Sequence, residues 1–239
     1  MAETIETPAL VLDRIPYGEA DLVLQLLTRD CGIVPALARS ARGSRRRFAG
    51  GLDLFVVSSV RFRPAGVRSS LALLSGADPI RTFPGLFDRL DRLEAGQAVL
   101  VLSRDLLRDA PAGQATFARV VEALARLDRA GPEDGSLEVL RLAIDLLGEL
   151  GHSPIQGACP SCGRPVGGVG EIAVAPDGTL LCGRCAPPAA HRFPGALLCG
   201  ESGPDVPVPG RADVLSLVAA LVSGVLGRRW RLRMDVQGG

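Results

Sequence analysis

The sequence predicts an α+β chain, with a small antiparallel β-barrel over residues 1–80 and a helical domain over residues 81–239 whose helices are interrupted by an insert at about 154–209. Three observations predict it. Up to Leu74 the apolar residues come in short runs between turn-forming pieces. Beyond Asp78-Pro79 they recur at helical spacing. The glycine- and proline-rich insert then holds four cysteines in two close pairs.

The barrel rests on five runs: Ala9 to Leu12, Leu22 to Leu27, Ile33-Val34, Leu54 to Val57 and Leu71 to Leu74. Pro16-Tyr17-Gly18, Asp30-Cys31-Gly32, Gly50-Gly51 and Pro64-Ala65-Gly66 separate them. Five short strands so regularly punctuated fit a partly open barrel of the OB type, with an SH3-like barrel as a competitor on pattern alone.

The helical domain starts where the period changes. Leu86, Leu90, Leu93, Leu100, Leu106 and Leu107 fall at roughly helical intervals, and Phe117, Val120, Val121, Leu124 and Leu127 make a clearer stripe. Leu137, Leu140, Ile144, Leu147 and Leu150 make a third, with Ser136 as the predicted N-cap and Gly151 as the predicted C-cap. A last apolar helix, about Ala212 to Leu226, ends in Arg228, Arg229, Trp230, Arg231 and Arg233. That cluster reads either as a second nucleic-acid contact or as the solvated end of the helix, where cations suit the dipole.

Composition narrows the class. The longest apolar stretch, Val214 to Gly227, is shorter than the about 20 residues a membrane span needs. The N-terminus is acidic and has no secretory pattern. Six cysteines, four of them in close pairs, do not make a disulfide scaffold, so the expectation is a cytoplasmic protein with a metal site.

That site is Cys159-Pro-Ser-Cys162-Gly, followed after 19 intervening residues by Cys182-Gly-Arg-Cys185. A two-residue gap lets both thiolates of a tight turn face one ion, and Gly163 and Gly183 ease the turns. Glu171 to Val174 and Leu180-Leu181, around Pro176-Asp177-Gly178, read as a β-ribbon between the knuckles. Four thiolates close the coordination sphere, so the zinc expected here is structural, a zinc finger with no open position for water. A deaminase would need His-x-Glu upstream, whereas His152 is followed by Ser153 and Pro154. Cys31 and Cys199 are expected to be small buried hydrophobes, and His191 is expected outside the metal site.

Every one of the 27 basic residues is an arginine. Between Ala36 and Arg68 lie Arg39, Arg42, Arg45, Arg46, Arg47, Arg61, Arg63 and Arg68 against one acid, Asp53, whereas residues 1–35 carry two arginines against six acids. Ala41 to Phe48 thus reads as a strand-to-strand connection dense in guanidinium groups. Such a loop follows phosphates without reading sequence, the arrangement by which an OB-fold grips single strands. Phe48 is expected to anchor it in the core.

Pro8-Ala-Leu-Val-Leu12, Tyr17-Gly-Glu-Ala-Asp-Leu22, Leu26-Leu-Thr28 with Gly32, Ala38-Arg-Ser-Ala-Arg42 with Ser44 and Arg45, and Leu52 with Leu54-Phe55 resemble, in order and spacing, the opening of the RecO family of bacterial recombination mediators. Phe83-Pro-Gly-Leu-Phe87 continues the likeness, as does a helical region with an embedded four-cysteine motif; it lapses from Pro187 to Gly210. The resemblance implies an N-terminal DNA-binding OB-fold and a helical domain carrying a zinc finger. It implies a non-enzymatic role in DNA repair and recombination after DNA damage: binding single- and double-stranded DNA, annealing complementary strands and, with RecR, helping load RecA onto DNA coated by single-strand-binding protein. The C-terminal tail of that protein would dock in the helical domain, and the setting would be the cytoplasm at the nucleoid. The family's DNA-binding region carries over to Arg39, Arg42, Arg45 and Arg46, and the adjoining Arg47 extends the basic run.

Two other readings stay open on sequence alone. The same barrel and zinc would serve an RNA-binding protein of the translation machinery. A zinc-dependent nucleic-acid hydrolase would need an open metal position or a carboxylate cluster, and the nearest acids, Glu133-Asp134, sit in a polar turn.

Overall fold

The computed structural model describes residues 3–44, 46–66, 69–108, 112–130, 134–154, 157–166, 170–199 and 210–232. They belong to two compact units, Met1–Arg129 and Ala130–Gly239. Among the described residues no helix is long and apolar enough to cross a membrane.

In the first unit β1 (Ile5–Tyr17), β2 (Asp21–Thr28), β3 (Gly32–Ala38), β4 (Val56–Arg63) and β5 (Ala72–Thr82) form a closed barrel in the order β1-β2-β3-β5-β4. A plain meander would set β4 beside β3. Instead β5 lies there in parallel, Ala36 opposite Ala72, and β4 returns to pair with β1, Ile5 opposite Phe62. This is the OB arrangement. It is closed where the sequence pattern suggested a partly open barrel, and one of its ladders is parallel.

The run Ala9 to Leu12 is apolar throughout because β1 is covered on both sides. Ala9 and Val11 join the barrel core, while Leu10 and Leu12 are buried on the other face of the strand, where α1 (Leu90–Leu106) packs. Helix α1 is buried nearly all round, from Ala95 and Val99 to Leu102 and Leu106, and it also contacts α2 (Gln114–Arg129). Leu90, counted into the predicted stripe, is instead 67% exposed at its first turn. Leu54 and Phe55, expected to open the fourth strand, lie before it. Phe55 takes a left-handed φ of 61°, and its buried ring packs on Gly96 of α1 and edge-on to Phe87 at 5.8 Å.

The second unit holds α3 (Asp134–Glu149), the antiparallel sheet of β6 (Glu171–Val174), β7 (Leu180–Cys182) and β8 (Arg192–Pro194), the short α4 (Ala196–Cys199) and α5 (Arg211–Leu226). Helix α3 starts at Asp134, so Ser136 lies inside its first turn and is not its cap. Gly151 ends it as expected. At φ 82° it lets the His152 N–H reach the Leu147 carbonyl at 2.8 Å, the bonding of a left-handed C-terminal cap. Strand β8 falls in the stretch for which the sequence offered no strand. Helix α5 packs on α3 and on β6.

Candidate nucleic-acid interface and metal centre

The arginine loop runs from the end of β3 to the start of β4 and is built from the inside out. Phe48 and Leu52 are buried in the barrel core, so the Phe48 ring serves as an anchor, as expected. The Ala77 N–H donates to the Arg47 carbonyl at 2.9 Å, which ties the loop to β5. At its start, the Ser40 N–H donates to the Asp21 carboxylate at 2.7 Å, and Ser40 adopts a left-handed φ of 52°. The Arg42 N–H donates to the Ala20 carbonyl at 3.0 Å and its guanidinium to the Glu19 carbonyl at 3.3 Å. The loop is therefore pinned to the β1–β2 turn.

Arg39, Arg42, Arg46 and Arg47 are all exposed, while Arg45 lies outside the described residues. Their roles differ. Arg47 donates to the Arg39 carbonyl at 2.9 Å and lies over the Phe48 ring at 5.1 Å, which braces the loop. Arg39 and Arg46 make no ion pair among the described residues. The stretch's one acid, Asp53, is met by Arg14 of β1 at 3.0 Å, and the Asp21 carboxylate at the loop's start accepts from the Ser40 N–H. On β4, Arg61 pairs with Asp78 at 2.9 Å, and its guanidinium lies against Gly76, where a Cβ would collide with it. Arg68 lies outside the described residues. The result is a pinned, cationic rim on a closed barrel.

The four cysteines converge in the second unit. Cys159 and Cys162 sit on one tight turn and Cys182 and Cys185 on another, with all four sulfurs within 4.8 Å of one another. Cys162 and Cys182 approach to 3.6 Å, and no disulfide joins any of the described cysteines. Four sulfurs around a zinc-sized ion would stand about 3.8 Å apart, given metal–sulfur bonds of about 2.3 Å. The cluster fits one tetrahedral metal ion. Its electrostatics agree. The Cys182 backbone hydrogen bond, with further ones from the Ser161–Cys162 turn, draws the Cys159 thiol down to about 6. Backbone bonds from its own knuckle, the one at Cys185 first, lower Cys182. Cys185 is pushed up to about 12 by the sulfurs of Cys162 and Cys182 and by desolvation. The Cys185 thiol therefore keeps its proton at neutral pH unless a cation is bound beside it.

The knuckles are carried by the predicted ribbon. The Gly178 N–H donates to the Ala175 carbonyl at 2.9 Å, and a Cβ on Gly224 of α5 would collide with the Gly178 backbone. The ribbon turn therefore rests on α5 at backbone distance. A cavity of about 570 Å³ opens beside it, lined by Ala175, Pro176, Ala190, Ala220, Arg228 and Arg229 among others.

Two smaller expectations change, one is not tested and one holds. Cys31 is exposed, because it stands at the tip of the β2–β3 turn, where its N–H donates to the Thr28 hydroxyl at 3.1 Å. The Cys199 side chain lies outside the described residues. Trp230 is 3% exposed; its backbone N–H donates to the Ser223 hydroxyl at 2.9 Å, so it folds back onto α5 and is neither a stacking platform nor a solvated end. His191 is exposed and rests on Phe193 at 4.5 Å, apart from the cysteines. Sequence reasoning missed the Asp53–Arg14 cancellation, because the two residues are far apart in the chain.

Residues 1–83 match the family model described as the N-terminal part of recombination protein O. Three proteins named DNA repair protein RecO align over most of the chain. That of Anaeromyxobacter dehalogenans strain 2CP-C is 32% identical over 97% of this chain and 95% of its own. That of Anaeromyxobacter sp. strain Fw109-5 is 34% identical over 98% and 95%. That of Myxococcus xanthus is 32% identical over 95% and 94%. With an OB barrel ahead of the helices and a four-cysteine cluster in the second unit, the chain belongs to the RecO family of DNA repair proteins.

Proposed function

We propose that this protein is a recombination mediator whose barrel, residues 1–80, holds DNA and whose helical domain, residues 81–239, carries a zinc-stiffened insert at about 154–209 and receives protein partners. Arg39, Arg42, Arg45, Arg46 and Arg47 are the DNA-binding residues. Of these, Arg47 acts by bracing the loop, and the others meet phosphates of single- and double-stranded DNA. The observation that carries this reading is the pinned loop of exposed arginines, whose own stretch of chain holds a single acid, Asp53, already paired with Arg14.

Annealing needs no chemical step. Arginines screen two polyanions so that base pairing begins. The metal is structural zinc, since four thiolates select it and leave no position for a reactive water, which sets a hydrolase aside. With RecR, the protein helps load RecA onto DNA coated by single-strand-binding protein. The cavity beside α5, apolar with Arg228 and Arg229 on its wall, has the chemistry to take that protein's acidic C-terminal tail.

The test is annealing of complementary oligonucleotides followed in real time, with the loop variants beside the natural protein. Accelerated annealing that falls with the arginines supports the proposal. Equal affinity for single-stranded RNA with no annealing would favour an RNA-binding role instead. Cleavage products with divalent metal would overturn the non-enzymatic reading.

A further inference from the structure

We infer that Tyr17 is a base-stacking residue that works beside the arginine loop, turning a purely electrostatic grip into one that also holds a nucleobase. This rests on the reading of that loop as a single-strand site. Tyr17 is the only tyrosine of the chain and is 61% exposed at the end of β1. Its ring makes no hydrogen bond or aromatic contact among the described residues.

Its position is fixed by the same bonds that fix the loop. Tyr17 pairs with Asp21 across the β1–β2 turn, and the Asp21 carboxylate holds the Ser40 N–H at 2.7 Å. The carbonyls of Glu19 and Ala20, within that turn, hold Arg42. The ring therefore projects from the turn to which the arginines are tied. No other aromatic near the loop can do its work. Phe48, Phe55 and Phe62 are buried in the first unit, and the exposed Phe87 leans on Phe55 beside α1. An exposed aromatic next to phosphate-seeking cations is the pairing by which OB surfaces hold single strands. Its stacking contribution is nonspecific, since every base offers a π-face. Ile15, also exposed on β1, would suit a protein partner equally well, but the arginine loop tied to the turn after Tyr17 favours a polyanion.

The experiment compares the full-length natural protein with Tyr17→Ala and Tyr17→Phe, using a labelled oligothymidylate titrated at several salt concentrations. Circular dichroism and melting confirm that each variant is folded. Tyr17→Ala should weaken binding roughly 5- to 100-fold with the salt slope unchanged, because a stack is lost and no phosphate contact is. Tyr17→Phe should stay within about twofold of the natural protein, since the π-face is what binds. Ultraviolet irradiation with 5-iodouracil-substituted DNA should crosslink the peptide that contains Tyr17. Unchanged affinity in a folded Tyr17→Ala protein overturns the inference and leaves the arginine site standing. A loss accompanied by a shallower salt slope overturns it too, because the ring then only supports the loop. Intact DNA binding with loss of RecR capture would make the residue a protein contact, which also overturns it. If the natural protein itself fails to bind the oligonucleotide, the reading of the loop falls and the inference falls with it.

Discussion

The guanidinium of Arg47 donates to the carbonyl of Arg39 across 2.9 Å while resting on the ring of Phe48. One arginine of the basic run is thus committed to shaping the loop that presents the rest. The two kinds of arginine should separate in mutagenesis. Arg47→Ala should lower stability by about 0.5–1.5 kcal/mol, the scale of one lost hydrogen bond. Arg42, Arg45 and Arg46 replaced together by Ala should lower melting less than Arg47→Ala does, since the Arg42 side-chain bond to the Glu19 carbonyl is long and exposed and its backbone bond to Ala20 is kept. That triple variant should show a slope of log affinity against log salt shallower by up to about two units on single strands. The loss should be the same for different DNA sequences, because the contacts are to backbone. An unchanged slope would show that the arginines touch no phosphate.

The cysteine cluster predicts about one zinc per chain by metal analysis. Cys162→Ser or Cys185→Ser should lower the melting temperature, because metal binding at a closed site contributes directly to folding. A chelator should do the same to the natural protein. Full zinc retention in a Cys182→Ser, Cys185→Ser double variant would refute the site.

Trp230 predicts a stability effect where a surface residue would give none. Trp230→Ala should destabilise the second unit by roughly 3–5 kcal/mol, as removal of a buried indole does. The natural protein's tryptophan emission should be blue-shifted and poorly quenched by iodide. Truncation after Gly227 removes this anchor, so it should be read first as a folding defect and only then as a DNA-binding one.

Gly224→Ala should be more harmful than its size suggests. A methyl group there meets the backbone of Gly178, which cannot rotate aside, so the variant should lose about 1–3 kcal/mol and some zinc affinity with it. Unchanged melting and unchanged metal affinity would show that the ribbon turn does not rest on α5.

Asp30 predicts an acid-range effect in the first unit. Its carboxyl is held below its ordinary value, first by the hydrogen bond from Arg29 and then by that from Thr7, with Gln114 of α2 adding a third at 3.1 Å. A lowered folded-state value means the contribution is complete above the ordinary carboxylate range. It is lost as pH falls through the folded value. Asp30→Asn should therefore flatten the fall of melting temperature below about pH 4. An unaltered acid limb would show that these bonds contribute nothing.

Where the sequence was legible, one local pattern decided the outcome. Two Cys-x-x-Cys turns bring four sulfurs together over a short ribbon, and Gly151 caps α3 because no other residue takes its φ so cheaply. Ala9 to Leu12 and Leu22 to Leu27 marked β1 and β2 through burial on both faces. Illegible were features decided by distant residues. Leu54-Phe55 has the composition of a strand, yet Gly96 of α1 offers the Phe55 ring a seat before β4 begins. Leu90 matches a helical period but stands at an exposed first turn. Trp230 looked like the tail of a basic cluster until Ser223, one turn inside α5, claimed its backbone. The exposed arginines were visible as composition; the bracing role of Arg47 needed the carbonyl of Arg39.

Barrel closure also sets a timetable for synthesis. Ile5 cannot meet Phe62 until β4 has left the ribosome, nor Ala36 meet Ala72 until β5 has begun to, and Leu10 and Leu12 remain uncovered until α1 follows. At about 5–20 residues per second, that interval is on the order of 5–20 s. Until β4 emerges, an apolar β1 has no partner beyond its hairpin with β2. The nascent chain is then a substrate for chaperones and for mispairing with its neighbours on a polysome. Recovery of folded protein should therefore depend more steeply on expression rate and temperature than its final stability would suggest.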